Sequence, residues 1–424
     1  MAYSRIVIVG GGFGGLNAAK QLGNAKLDVW MIDKTNHHLF QPLLYQVASA
    51  ALSPADIAVP IREILSPYEN ITVMMGEVVK IDKNSKTLHL GNGDQLGYDS
   101  LILAVGAKHS YFGKDEWEKF APGLKTLTDA LSIRERILMS FEKAERCDSI
   151  NEAKKYLNFV IVGGGPTGVE LAGALAEIAY DTMLQNFRRI DTTKSKIYLV
   201  ESSPHILPVY PEKLSQKAQY YLEKFGVKVI GGKRVTDINE EGVHIQDVFV
   251  PARNVIWAAG NQASPLLQSL EIPLDRQGRA LVDADMSIPD HPEIFVIGDA
   301  AACKDKDNQF LPALAPVAVQ QGKYVANILK KELPKDKRPP FKYFDKGTMA
   351  TIGKTRAIGM FGKIKFHGFI AWLAWCFVHI LYLIGFRNKF LVLSQWLYAY
   401  YTNRRGARLI NRSIEEELKK GQEN

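Results

Sequence analysis

Two glycine-rich loops of one design lie about 150 residues apart in this 424-residue chain. The first follows Ile6-Val7-Ile8-Val9 and reads Gly10-Gly11-Gly12-Phe13-Gly14-Gly15. The second follows Phe159-Val160-Ile161-Val162 and reads Gly163-Gly164-Gly165-Pro166-Thr167-Gly168. A short, continuous apolar run is the pattern of a parallel strand buried on both faces. A G-x-G-x-x-G turn between such a strand and a helix is the context that holds a dinucleotide pyrophosphate. The first glycine (Gly10, Gly163) permits the tight turn, and the second (Gly12, Gly165) lets the backbone approach the pyrophosphate. The third (Gly15, Gly168) lets the helix pack close to the strand. Free N–H groups at the helix start then face the phosphates. Two loops imply two dinucleotides, and two dinucleotides suggest electrons passing between them.

In this arrangement an acid closing the next strand binds a ribose hydroxyl. Asp33 closes Leu27–Ile32, 23 residues after Gly10. Glu201 closes Lys196–Val200, 38 residues after Gly163. The second gap is long; its excess, Asp181 to Lys196, is polar and reads as an extended helix plus a loop. A carboxylate at Glu201 repels a 2′-phosphate, which favours NADH over NADPH.

The halves repeat each other beyond the loops. Up to about Ser110, strands and helices alternate, with strands over Ile71–Ile81 and Lys86–Leu90 and a buried strand in Leu101–Ala107. The second half, about 120 to 260, follows the same plan, with Val255–Gly260 as the matching strand, so the two read as an internal duplication. A further buried strand, Glu293–Ile297, leads into Gly298-Asp299-Ala300 and is expected to return to the first domain. A helix of about 15 residues starts near Pro316, and the polar, Pro-rich Glu332–Pro340 reads as a linker. The expected fold class is α/β: two Rossmann-like dinucleotide-binding domains, one discontinuous, plus a C-terminal membrane-associating helical region. The expected boundaries are 1–115 with 275–340, then 116–274, then 341–424.

Charge and cysteine content exclude other chemistries. Residues 341–424 hold 14 Lys/Arg against 5 Asp/Glu, while residues 1–340 hold 39 against 40. The excess positive charge therefore lies in the block that also holds the longest apolar stretch, which points to an anionic membrane surface. No nucleic-acid motif accompanies it, so no nucleic-acid partner is expected. The three cysteines, Cys147, Cys303 and Cys376, form no C-x-x-C pair, which excludes dithiol reductases, and no His/Cys cluster has metal-ligand spacing. Met1–Arg5 runs directly into the first strand without a signal peptide, so a cytoplasmic location is expected.

Several segments carry a family resemblance. Ala104-Val105-Gly106 and Ala258-Ala259-Gly260 look like the A-T-G turns of the two-dinucleotide-binding-domain flavoproteins, with the central Thr replaced, and Ile297-Gly298-Asp299-Ala300 looks like their flavin G-D motif. Within that group the chain resembles the type II NADH:quinone oxidoreductases. The supporting segments are His38–Ala48, Gly165–Glu170, Glu201–Pro208 and Ala315–Gly322. The resemblance covers essentially the whole chain. It implies FAD held non-covalently by Gly10, Gly11, Gly12, Phe13, Gly14 and Gly15, with Asp33, Lys34, Val78, Ala104, Gly106, Gly298, Asp299 and Val317. It implies NADH held by Gly163, Gly165, Gly168, Glu201, Ala259 and Gly260, its nicotinamide stacked on the flavin. Quinone would be lined by Ala315, Pro316 and Gln320, with no metal involved. Pro316 replaces the first Gln of the family's A-Q-x-A-x-Q motif; it suits a helix start but removes one polar contact. Glu170 is the candidate catalytic acid, placed in the first turn of the second glycine helix and suited to its dipole. The family also implies a homodimer attached to one leaflet, here the cytoplasmic face of the inner membrane.

Phe366–Phe386 is a 21-residue, mostly apolar stretch, long enough to span a bilayer. Trp372, Trp375, His379, Tyr382 and Phe386 recur at helical spacing on one face, and Leu373, Phe377, Ile380 and Ile384 on another. A second apolar run, Phe390–Tyr401, is too short to span. Lys363, Lys365, Arg387, Lys389, Arg404, Arg405 and Arg408 flank the two, which favours a helix pair lying in the interface, with a spanning or re-entrant first helix and a buried soluble interface as the other readings. Two functional alternatives stand beside NADH:quinone oxidoreduction. One is a sulfide:quinone oxidoreductase-like enzyme, which needs redox cysteines and has little use for Glu201. The other is an NAD(H)-binding flavoprotein redox sensor, for which the apolar tail has no clear purpose.

Overall fold

The computed structural model describes residues 3–410. Its described residues divide into two compact units, one of residues 3–39, 58–109 and 261–346, the other of residues 40–57, 110–260 and 347–410. The end of the predicted C-terminal region, 411–424, lies outside the described residues.

In the first unit the apolar runs form a six-stranded sheet, ordered Ser287–Ile288, His291–Val296, Ser100–Leu103, Arg5–Val9, Asp28–Asp33, Ile71–Met75. All neighbours are parallel except the first pair. The glycine-loop strand is central and buried, as its β-branched run dictates. His291–Val296 pairs with Ser100–Leu103, so the strand before Gly298 does return to the first sheet. The predicted strand Ile71–Ile81 is broken at Gly76-Glu77: Ile71–Met75 stays in this sheet, and Val78–Asp82 starts a three-stranded meander with Thr87–Leu90 and Gln95–Gly97.

The second unit repeats the plan. Its parallel sheet runs Asn254–Trp257, Asn158–Val162, Lys196–Val200, Val227–Ile230, the order of Ser100–Leu103 through Ile71–Met75 in the first. A meander, Val235–Asn239, Gly242–Ile245 and Val248–Pro251, stands where the first unit has its own. The long spacing before Glu201 is explained: after the helix Pro166–Glu177 come a π-helical turn, Ile178–Thr182, and a loop.

The apolar tail departs from the single helix read over Phe366–Phe386. Ile364–Gly368 is the last strand of an antiparallel sheet with Thr348–Thr351 and Ala357–Phe361. Phe369–Tyr382 and Phe386–Thr402 are separate helices, and Gly368 and Gly385, at φ of 81° and 86°, precede them. The first has 14 residues, about 21 Å at 1.5 Å per residue against the ~30 Å of a hydrocarbon core. Among the described residues no helix is long and apolar enough to cross a membrane. Of the aromatic face only the middle packs inward, with Trp375 buried against Trp396 at 5.4 Å and stacked on His379 at 4.0 Å, while Tyr382 and Phe386 are exposed. Of the aliphatic face, Leu373 and Phe377 are exposed, as is Ile370 before them, and Ile380 and Ile384 are half-buried.

Candidate functional site

The first loop is closed by the chain it touches. Gly10 has φ 104°, and a Cβ there would lie 2.3 Å from the Ala104 carbonyl oxygen. Gly15 approaches Gly10 so closely that a Cβ would meet its carbonyl oxygen at 1.9 Å. At Gly12, in contrast, a Cβ would have no atom within 4 Å. Gly12 starts the helix Phe13–Leu22, which has no side-chain cap and no acid in its first turn. An open backbone face at an uncapped helix start fits a pyrophosphate. Asp33 Oδ2 accepts the Gly11 N–H at 2.5 Å, and Oδ1 accepts the Thr35 N–H and hydroxyl at 2.6 and 2.7 Å. The acid is thus held beside the loop, and Lys34 next to it is exposed.

The later motifs converge on the same loop. Ala315–Lys330 forms a helix with Pro316 in its first turn. It crosses Phe13–Leu22 where Gly322 meets Gly14; a Cβ on Gly322 would stand 2.2 Å from the Gly14 carbonyl oxygen. Gly298, at φ 70°, donates its N–H to Gln321 Oε1 at 2.7 Å, which brings the turn bearing Asp299 to this helix. Val317 and Val78 are buried. Gln320 instead pairs its amide reciprocally with the Phe344 backbone, at 2.9 and 3.0 Å. The sequence motif selects Gln320 and misses its neighbour Gln321. The helical stripe Ala318, Gln321, Gly322 and Val325 is the signal that finds it, because Gln320 lies off that buried face. His38, the first residue of the His38–Ala48 segment, has no role assigned from sequence: it is buried, its Nδ1 lies 2.9 Å from the Gly11 carbonyl oxygen, and burial lowers its pKa.

The second unit builds the same cradle. Gly163 has φ 111°, Gly168 closes onto Gly163 at 1.9 Å, and Gly165 faces open space. Glu201 Oε2 accepts the Gly164 N–H at 2.7 Å, and Oε1 accepts the Ser203 N–H at 2.7 Å and the Ser202 hydroxyl at 3.1 Å. Both loop strands also make one equivalent turn contact: Ala104 N–H to the Val9 carbonyl and Ala258 N–H to the Val162 carbonyl, each 2.8 Å. Ala259 and Gly260 follow that second contact, Gly260 at φ 72°.

Glu170 does not occupy the first turn of its helix. It is the fifth residue of Pro166–Glu177, whose first turn contains no acid, and it is buried. Its Oε1 accepts the Thr351 N–H at 3.5 Å. Burial, only slightly offset by that bond, pushes its pKa up to about 8, so the dipole argument for a charged group gives way to a neutral acid near neutral pH. The cysteines are all free, and burial pushes Cys303 up to about 11 and Cys376 to about 12, away from the thiolate character of redox cysteines. Among the described residues no acid, His or Cys cluster could hold a metal.

The model of the pyridine nucleotide-disulphide oxidoreductase family matches residues 4–322. The type II NADH:quinone oxidoreductase Ndh of Mycobacterium tuberculosis is 44% identical over 417 residues, covering 95% of this chain and 89% of the relative. The chain belongs to the type II NADH:quinone oxidoreductases. A second such enzyme of the same organism, NdhA, is 42% identical over 95% of this chain and 88% of its own length. Among solved structures, NDH2 of Plasmodium falciparum in complex with NADH shares the fold at a TM-score of 0.88, with 22% identity over 97% of this chain and 100% of that one. The sulfide:quinone oxidoreductase of Aquifex aeolicus shares it at 0.72 and 18% identity, over 98% of this chain and 94% of that one. Membership in the type II family agrees with the duplicated cradle and the high thiol pKa values.

Proposed function

We propose that this enzyme uses FAD to carry electrons from NADH to a quinone. One observation carries the reading: each glycine loop is locked to its own acid, Asp33 to the Gly11 N–H and Glu201 to the Gly164 N–H, beside an uncapped helix start. Two such cradles take two dinucleotides. Gly10–Gly15, Asp33, Ala104, Gly106 and the Gly298-Asp299 turn hold FAD; Gly163–Gly168, Glu201, Ala259 and Gly260 hold NADH. The flavin, when bound, supplies the acceptance of a hydride and the release of electrons to the quinone. Glu201 orients the ribose and disfavours a 2′-phosphate. Glu170 holds a proton for the reduced quinone, which its pKa near 8 suits. Ala315 and Pro316, at the start of their helix, line the quinone path. Gln320 serves it through Phe344, whose backbone it holds.

The paired helices Phe369–Tyr382 and Phe386–Thr402 dock the enzyme on the cytoplasmic face of the membrane. Ile370, Phe377, Phe386, Phe390 and Tyr401 are 62–86% exposed on them, a set that water does not favour and an interface does. Lys363, Lys365, Arg387, Lys389 and Arg404 supply cations at headgroup level. The working form is a homodimer.

The test is NADH oxidation with a soluble quinone, with NADPH and sulfide as comparison donors. Fast turnover with NADH alone is expected. Turnover with sulfide, or negligible turnover with NADH in the FAD-loaded enzyme, overturns the proposal.

A further inference from the structure

Gly10-Gly11-Gly12 gives the first loop no side chain of its own to fix its peptide planes. Two neighbouring side chains supply that restraint at Gly11, one on each side of the residue. Asp33 Oδ2 accepts the Gly11 N–H at 2.5 Å, and His38 Nδ1 lies 2.9 Å from the Gly11 carbonyl oxygen. A carbonyl oxygen can only accept, so Nδ1 carries the proton and donates it. Burial keeps the ring neutral, which makes it the Nδ1–H tautomer. His38 and Gly11 are both buried, so bulk water does not compete for the contact. The strand His37–Leu39, paired with Ala58–Pro60, brings the ring to the loop, and Phe13 meets it edge-on at 5.1 Å. The Gly11–Gly12 peptide is trans, so its N–H points opposite to its carbonyl. Holding the Gly11 carbonyl therefore fixes the direction of the Gly12 N–H at the uncapped helix start.

The second loop keeps the same contact by other means. Glu201 holds the Gly164 N–H at 2.7 Å, and the Gly164 carbonyl accepts the Leu207 backbone N–H, also at 2.7 Å. Leu207 does so at φ 52°, a conformation that residues with a side chain seldom adopt. The resulting backbones agree: φ is 104° and 111° at Gly10 and Gly163, and −69° and −71° at Gly12 and Gly165. Pro166, with its fixed φ, begins the second helix where the first has Phe13 against the His38 ring. One loop is braced by backbone and proline, the other by an imidazole.

We propose that His38 is a positioning residue for FAD: its Nδ1–H holds the Gly11 carbonyl so that the Gly12 N–H stays directed at the pyrophosphate. The proposal rests on the first loop being the FAD site. Without the donor the Gly11 carbonyl is buried and unpaired, and a peptide between two glycines turns readily to find another partner.

Two substitutions separate the donor from the ring. His38→Phe keeps an aromatic ring against Phe13 and removes the donor. His38→Asn removes the ring and keeps an N–H donor the same number of bonds from the backbone. FAD release from the diluted holoenzyme is followed by flavin fluorescence, and NAD⁺ affinity with FAD in excess is the control. His38→Phe is expected to release FAD about tenfold faster, as the loss of one buried hydrogen bond implies, and His38→Asn to stay within about threefold of the unaltered enzyme. NAD⁺ affinity is expected to be unchanged in both, because Leu207 holds the second loop. A packing role alone gives the reverse order, with the Phe variant tolerated and the Asn variant leaky. That order, equal release from the two variants, or a parallel loss of NAD⁺ binding overturns the proposal. In ¹⁵N-histidine-labelled holoenzyme, the His38 signal, assigned as the one His38→Asn removes, is expected to show a proton on Nδ1; a ring protonated at Nε2 alone overturns the clamp whatever the release rates. If Gly12→Ala leaves FAD release unchanged, the reading of the first loop as the FAD site fails and the clamp with it. Fast release from Gly12→Ala beside normal release from His38→Phe removes the clamp alone.

Discussion

At the residue scale the glycines of one loop have separable duties. Gly15→Ala would place a methyl 1.9 Å from the Gly10 carbonyl oxygen, so strand and helix must part. It is expected to lower Tm and abolish FAD retention together. Gly12→Ala meets no protein atom within 4 Å; it is expected to leave the thermal stability of the apoprotein nearly unchanged while weakening FAD at least roughly tenfold, because the methyl enters the space of the pyrophosphate. Differential scanning fluorimetry with and without FAD separates the two. Glu170 adds a pH effect whose sign follows from its raised pKa of about 8 against an ordinary 4.5. Between those values the folded state keeps a proton that the unfolded state has lost, so stability falls as pH rises through that window. Glu170→Gln is expected to flatten that part of the curve in denaturant titrations from pH 5 to 8. The same variant is expected to slow quinone reduction at least tenfold in stopped-flow, with flavin reduction by NADH less affected.

At the element scale the C-terminal helices are held to their unit by polar anchors as much as by apolar packing. Phe386–Thr402 is fastened to the 40–57 segment by Trp396 on Gln46 and by Gln395 on Asp56 at 3.0 Å. Just beyond it, Arg405 bonds the Ser49 carbonyl at 2.6 Å and Glu177 at 2.5 Å, with side chains 7% and 17% exposed. Removing one partner of such a pair strands the other, so Arg405→Met is expected to cost about 3 kcal/mol. Guanidinium unfolding measures it, and Arg405→Met with Glu177→Met should recover part of the loss. His379 contributes at acid pH. Burial holds its pKa down at about 4 and its Nδ1 lies 2.7 Å from the Trp375 carbonyl. The unfolded state takes a proton below about 6.5 that the folded state refuses. Stability therefore falls with acidification from about 6.5 to 4, and His379→Gln should blunt that fall.

At the scale of the whole molecule, the excess positive charge and most of the exposed large apolar residues fall in the same fifth of the chain, and membrane binding is the property to measure. Phe377→Glu with Phe390→Glu is expected to prevent co-sedimentation with anionic vesicles while NADH oxidation with a water-soluble quinone continues. Retained binding, or release of the unaltered enzyme by high salt alone, would remove the docking role of the two helices.

Both strand–loop–acid units were legible in the chain because their signals are local: apolar runs, glycines at fixed offsets, and an acid at the end of the next strand. The family resemblance was legible for the same reason. Tertiary structure decided what depends on residues distant in sequence. Whether Gln320 or Gln321 faces the first loop depends on which stripe of its helix meets Gly14. Glu170 became a neutral, buried acid because a strand 181 residues away closes over it. The apolar stretch became strand, helix and second helix because two glycines take positive φ and the Trp375 face has a partner to pack on. Local pattern specifies an element and its chemistry; only packing specifies which face is dry, and so which group is charged.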